Sequence, residues 1–250
     1  MEVIDLLRIN SHFILTLEDS RFSVSKSYQI NMQQNFIKGV PFAYLTGMAE
    51  FYGHQFFINE DVLIPRSETE FLVDILVNQK RLFNRALDVG TGSGVIILSL
   101  LKHKVVKEGL GSDISSHALK VAQINSGRLR TPCEFMISDR LESVTGEFDL
   151  IVSNPPYIKK NLHSHLVHQK VDEFEPRLAL YLEDEVYEKW FSAFFEKVVR
   201  HLSSGGVFMM EGHEMEIEKQ AKELEALGLK DVKVIRDLAG AIRFLSAEKR

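Results

Sequence analysis

The alternation of apolar and polar positions divides the chain into two parts. Val24, Tyr28, Met32 and Phe36 repeat every four residues, which predicts a helical N-terminal segment over about 1–40, closed by Gly39 and Pro41. The stretch EFYGHQFFINEDVLI sets aromatic and β-branched residues on either side of turn formers, which predicts a β-hairpin between about 50 and 64. Ser67 and Glu70 then have the spacing of a capping box, and the apolar stripe Phe71, Val73, Leu76 and Val77 predicts the helix they open. From Arg85 onward, strand and helix patterns alternate. RALDVG, LGSDI, CEFMISD and FDLIVSN read as strands, with VIILSLLKHK and SHALKVAQINS as helices between the first three. After a long loop come a helix near 185–202, the strand GGVFMMEG, a helix near 214–227, and the strands DVKVIRD and IRFLSA. Continuous apolar strands alternating with amphipathic helices imply an α/β fold with a mostly parallel sheet covered on both faces. Leu238, Ala239 and Gly240 are too few for a parallel crossover, so the last two strands are expected to form an antiparallel hairpin.

Composition narrows the classes of function. A net charge of −5 disfavours direct nucleic-acid binding, which draws its affinity from Lys and Arg neutralising phosphates. A protein or small-molecule substrate is expected instead. The single cysteine, Cys133, suits a reducing compartment, and neither a membrane-length apolar stretch nor a signal-peptide pattern is visible. A cytoplasmic protein without membrane attachment, acting as a monomer, is the expectation.

The first strand of the alternating part runs into Asp88-Val89-Gly90-Thr91-Gly92-Ser93-Gly94. Glycines at alternate positions let the backbone turn sharply and approach a ligand. The acid before them would repel a pyrophosphate and attract an ammonium or sulfonium group. Asp113 ends the second strand, 113 − 88 = 25 residues after Asp88, where an acid can take both ribose hydroxyls. The third strand ends in Asp139, which could accept from an adenine amino group. This arrangement resembles the class I S-adenosylmethionine-dependent methyltransferases, whose Rossmann-like seven-stranded sheet ends in an antiparallel hairpin. The resemblance implies S-adenosyl-L-methionine as cofactor. It assigns the methionine moiety to Asp88 and the Gly90, Thr91, Gly92 and Gly94 loop, the ribose to Asp113 with Ile114 beside it, and the adenine side to Asp139 with Arg140.

The fourth strand delivers Asn154-Pro155-Pro156-Tyr157 to the same edge. An amide or exocyclic amino nitrogen is a poor nucleophile because its lone pair is delocalised. The Asn154 side-chain oxygen and the Pro155 carbonyl can accept from its two N–H groups and turn it towards a methyl donor. Pro156 would stiffen the turn, and Tyr157 would pack on the flat acceptor group. Such a motif is similar to that of N-methyltransferases acting on adenine, guanine or glutamine nitrogens.

Upstream, PFAYLTGMAEFYG and IPRSETE carry a longer match, with further agreement in SDIS, FEPRLAL and RDLAG with Arg243. With these residues the chain resembles the HemK/PrmC family of glutamine-N5 methyltransferases over roughly 40–247. That resemblance implies methyl transfer to the glutamine of the Gly-Gly-Gln loop in peptide chain release factors. It also implies a substrate-recognition segment at 1–40, a β-hairpin linker at 41–66 and a methyltransferase unit at 67–250, with Arg66 and Thr69 closing the cofactor pocket. The alternatives left open are methylation of a ribosomal-protein glutamine and an amino-methyltransferase of DNA or RNA. Ser67 stands where the family usually has proline, and Ile242 replaces an acid before Arg243. His163, His165 and His168 read as a solvated loop near the substrate mouth rather than a metal site, and the charges of Glu214–Glu223 as the wet face of a helix.

Overall fold

The computed structural model describes residues 34–35 and 37–250. The helical segment expected at 1–40 therefore lies almost wholly outside the described residues. A short helix α1 (Phe42–Thr46) leads into a two-stranded antiparallel hairpin, β1 (Met48–Phe51) and β2 (His54–Phe57). The hairpin is shorter than expected and starts earlier, and residues 58–66 leave it as an irregular strap. Tyr52 and Gly53 both take positive φ at its tip, 47° and 73°, the backbone of a two-residue turn.

Helix α2 (Ser67–Asn78) follows, but Ser67 does not cap it. Arg66 occupies the cap position without a side-chain bond to the helix end, and Ser67 is the first helical residue. The expected capping box is absent because Glu70 is used elsewhere: its carboxylate accepts the Tyr52 N–H at the hairpin tip, at 2.8 Å. A helix-terminal acid thus joins the hairpin to the body of the protein.

The alternating part builds β3 (Phe83–Val89), α3 (Val95–Lys102), β4 (Val106–Asp113), α4 (Ser116–Leu129), β5 (Glu134–Ile137) and β6 (Phe148–Ser153). Then come β7 (Ile158–Lys159), α5 (Gln169–Phe174), α6 (Arg177–Leu180) and β8 (Tyr181–Leu182), elements the sequence pattern read only as loop. The chain ends with α7 (Asp184–His201), β9 (Leu202–Glu211), α8 (Ile217–Ala226), β10 (Lys230–Arg236) and β11 (Ile242–Glu248). Seven strands form one sheet in the order β10-β11-β9-β6-β3-β4-β5. All neighbours are parallel except β11 with β9 and β10 with β11, so the terminal antiparallel hairpin is present as expected.

Alternate residues of each central strand point to opposite faces. Leu87, Ile151, Phe208 and Met210 enter one apolar layer with Tyr187, Phe191, Phe194 and Phe195 of α7 and Leu224 of α8. Ala86, Leu150, Val152 and Met209 enter the other, with Leu72 and Leu76 of α2 and Leu98 of α3. This two-sided burial explains why β3 and β6 read as continuous apolar runs. The strap packs on α4 through Ile58, Val62, Ala118 and Val121. Among the described residues no helix is long and apolar enough to cross a membrane. The sheet order reverses between β3 and β6, and ligands of open α/β sheets bind in the crevice beyond the strands at that point.

Candidate active site

Three acids and a glycine loop surround the crevice. Gly90, Gly92 and Gly94 have φ of 71°, 56° and 81°, which side-chain-bearing residues avoid. No atom lies within 4 Å of where a Cβ would stand on Gly90 or Gly92, so that side of the loop is open to a ligand. Gly94 has a different reason to be glycine: its Cβ would meet Leu98 at 3.0 Å and Ala122 at 3.3 Å, so it lets α3 close against α4.

A cleft of about 220 Å³ opens here, walled by Gly90–Ser93, Asp113–Ser115, Ser138–Arg140, Ser153–Pro156, the strap residues Leu63, Pro65 and Arg66, Thr69 and Trp190. Asp113 holds the loop itself: Oδ2 accepts from Gly92 N–H and Oδ1 from Ser115 N–H, both at 2.9 Å. Each oxygen keeps a lone pair for the cleft. Burial pushes its pKa up, against the pull of those N–H donors. Ile114 is half-exposed and offers an apolar wall. Asp139 accepts from the Arg140 guanidinium at 3.1 and 3.2 Å, and that guanidinium lies over the Trp190 ring at 5.6 Å.

Asp88 does not line the cleft. It is fully buried behind the loop, with Oδ2 accepting from the Thr91 hydroxyl at 2.7 Å and Oδ1 without a partner among the described residues. Burial pushes its carboxyl up to about 7. Arg66 and Thr69 both reach the cleft wall but are also committed elsewhere. Arg66 pairs with buried Glu175 at 2.6 Å, and the same carboxylate accepts from Ile64 N–H at 3.0 Å, which holds the strap down. Thr69 donates to Glu211 at 2.6 Å.

The end of β6 is tied to the end of β3 by the Ser153 hydroxyl, which donates to the Val89 carbonyl at 2.7 Å. Asn154 comes next. Its Nδ2 donates to Thr69 Oγ1 and to Glu211 Oε2, each at 3.1 Å. Neither its Oδ1 nor the Pro155 carbonyl accepts a hydrogen bond from any described residue. Both residues also line a second cavity of about 390 Å³, whose walls include Tyr157, His163, His213 and Arg243. Asn154 and Pro155 thus stand between two chambers, with Leu63, Arg66 and Ala179 shared as well. Pro156 belongs to the first chamber and Tyr157 to the second, where its hydroxyl donates to Glu211 at 2.9 Å.

The model of the methyltransferase small domain family matches residues 67–178. Among curated proteins, a release factor glutamine methyltransferase of Flavobacterium psychrophilum is 34% identical over 217 residues, covering 84% of this chain and 76% of the relative. The enzyme of the same name from Bacteroides thetaiotaomicron is 32% identical over 249 residues, covering 98% of this chain and 89% of the relative. The chain belongs to the release factor glutamine methyltransferases. A solved methyltransferase from Pyrococcus furiosus superposes with a TM-score of 0.60 at 19% identity, covering 88% of this chain and 98% of that one, which supports the fold.

Within this family's fold the residues suit the cofactor that the sequence resemblance implies. The remaining lone pairs of Asp113 and a loop open at Gly90 and Gly92 match a ligand with a ribose, and the Asp88 carboxyl buried behind that loop sets an acidic group near a positively charged end without touching it. Several residues of the site escaped the sequence reading. Glu211 carries no local signal beyond standing at the end of the strand GGVFMMEG, and Trp190 none beyond its place in the helix near 185–202. His163 is a correction: it is buried, 2% exposed, and stacks on His213 with centroids 4.2 Å apart. Burial lowers the pKa of both rings, which favours the neutral forms that can stack. Glu216 is a second correction, since it is buried and pairs with Lys159 at 2.6 Å rather than facing water. Among the described residues no three side chains gather as a metal site.

Proposed function

We propose that the chain transfers a methyl group from S-adenosyl-L-methionine to the side-chain amide nitrogen (N5) of the glutamine in the Gly-Gly-Gln loop of peptide chain release factors. The observation that carries this reading is the pair of unused acceptors, Asn154 Oδ1 and the Pro155 carbonyl, at the wall shared by the two chambers. An amide NH2 entering from the second chamber meets one acceptor for each of its hydrogens, which orients its nitrogen towards the first. Alignment of this kind replaces a covalent intermediate and converts entropy lost on binding into rate.

The residues that would hold the cofactor are Gly90, Thr91, Gly92 and Gly94 near the methionine end, with the Asp88 carboxyl behind them, Asp113 and Ile114 at the ribose, and Asp139 and Arg140 at the adenine, with Arg66 and Thr69 on the strap side. When bound, it supplies the electrophilic methyl carbon. The chain's part is to hold the acceptor nitrogen, keep its hydrogens pointing at Asn154 and Pro155, and exclude bulk water with the strap. Tyr157 borders the chamber for the glutamine side chain, and residues 1–40 serve recognition of the release factor. We place the enzyme in the cytoplasm, as a monomer, with residues 41–66 as linker and 67–250 as the methyltransferase unit.

The test is transfer of labelled methyl to a release factor and to a version carrying Gln→Ala in its Gly-Gly-Gln loop. Label in the first and none in the second is expected. Label in both, in neither, or in nucleic acid instead overturns the reading.

A further inference from the structure

Glu211 closes β9, the strand beside β6, and is 1% exposed. A carboxylate in that position is tolerated only if donors surround it. Three do: the Thr69 hydroxyl at 2.6 Å, Asn154 Nδ2 at 3.1 Å and the Tyr157 hydroxyl at 2.9 Å. Burial pushes the Glu211 pKa up, and the Thr69 and Tyr157 hydroxyls and the Arg243 guanidinium pull it back down; with three donors aimed at its two oxygens the carboxylate only accepts. The single proton of Thr69 is committed to Glu211, so towards Asn154 the Thr69 oxygen can likewise only accept. Both neighbours at that end of the Asn154 amide are therefore acceptors, and the end that faces them has to be the NH2. Flipping the amide would set Oδ1 against two acceptors and turn two N–H donors towards the substrate, where two more donors arrive.

We propose that Glu211 is a positioning residue: together with Thr69 it fixes the polarity of the Asn154 amide, so that an acceptor and not a donor meets the substrate nitrogen. The inference rests on the reading of Asn154 given above. It also explains why a helix-start threonine, a strand-end glutamate and the Asn-Pro-Pro-Tyr turn, distant in sequence, converge at one point. Glu211 acts through its neighbours and lines neither chamber.

Glu211→Gln keeps the shape and supplies an NH2 that can donate to a flipped Asn154. In the full-length chain we expect kcat to fall by roughly a hundredfold, with the cofactor Kd within about threefold of the parent. Adding Asn154→Asp to Glu211→Gln moves the negative charge across the bond. The new aspartate accepts from the introduced glutamine NH2 with one oxygen and presents the other to the substrate. The double variant should recover at least about tenfold over Glu211→Gln, whereas Asn154→Asp alone sets two carboxylates together and should be inactive. Recovery of that kind separates polarity from mere support of the fold. A second readout needs no substrate: the Asn154 side-chain NH2 signals in a 15N spectrum should be protected from solvent exchange in the parent and lose protection in Glu211→Gln. Unchanged protection, or unchanged kcat, in Glu211→Gln overturns the proposal, as does failure of the double variant to recover. Should the parent label no release factor, the functional reading fails on its own, and the exchange measurement still decides the role of Glu211.

Discussion

In the proposed reaction Asn154 has to satisfy two demands at once, one from the buried interior and one from the substrate. Its NH2 saturates Thr69 and Glu211, and its oxygen is left for the chamber. Asn154→Ala removes that acceptor while touching little of the cofactor cleft, so kcat should drop by about a hundred- to a thousandfold. The cofactor Kd should stay near the parent value when measured by calorimetry, and a collapse of affinity would contradict the assigned role. The placing of Asn154, Pro155 and Tyr157 at the crevice was legible in the sequence because two prolines and an aromatic ring end an apolar strand abruptly. Which way the amide faces was not legible, because the residues that decide it are Thr69 and Glu211, 85 and 57 positions away. The chemistry of Asn alone leaves both orientations open.

At the level of elements, the strap and hairpin are held to the sheet by single side chains from distant helices. Asn125 of α4 is fully buried and makes three bonds: Phe57 N–H donates to its Oδ1 at 2.7 Å, and its Nδ2 donates to the Phe57 and Ser93 carbonyls at 2.9 Å. One amide thus ties the end of β2 and the glycine loop to the same helix. Asn125→Ala leaves three backbone groups without partners and should cost about 2–4 kcal/mol of stability. Because it frees the loop and the strap together, the KM for cofactor should rise as well. Thermal melts and cofactor titrations check the two effects, and a variant that loses neither would show that the ties are redundant. The periodicity of α2, α3, α4 and α7 was plain from the sequence, whereas β7, β8, α5 and α6 were missed. These elements are two to six residues long, shorter than the window over which a period can be recognised. Glu70 illustrates the same limit from the other side: its spacing from Ser67 fits a capping box, but the tertiary structure offers it a better donor in Tyr52.

Across the whole molecule, function and stability oppose each other at Asp88. Burial at the end of β3, an interior strand of the sheet, raises its carboxyl to about 7, above the ordinary carboxylate range. A raised carboxyl contributes stability that is complete below its unfolded pKa and is lost as pH rises through the folded value. The ligand-free protein should therefore melt at lower temperature at pH 8 than at pH 5.5 on this account. Asp88→Asn keeps an acceptor for Thr91 and should flatten that dependence, raising the melting temperature at the higher pH. Cofactor affinity moves the other way, since only the ionised carboxylate attracts a cationic ligand. It should tighten with rising pH in the parent and lose that dependence in Asp88→Asn. Flat behaviour of the parent in both measurements would mean that Asp88 does not titrate in this range. Local patterns in the chain were enough to specify the layers of the fold, the parallel sheet with its antiparallel end, and the chemistry carried to one edge by the Asp88–Gly94 loop, Asp113, Asp139 and the Asn154–Tyr157 turn. Each of these is written in neighbouring residues, through periodicity, backbone permissiveness and strand ends. Contacts in space were needed to seal Asp88 behind its loop, to bury His163 against His213, and to gather Thr69, Asn154 and Tyr157 around Glu211. Hydrogen-bond direction and desolvation depend on which groups meet, and those partners come from segments that no local pattern connects.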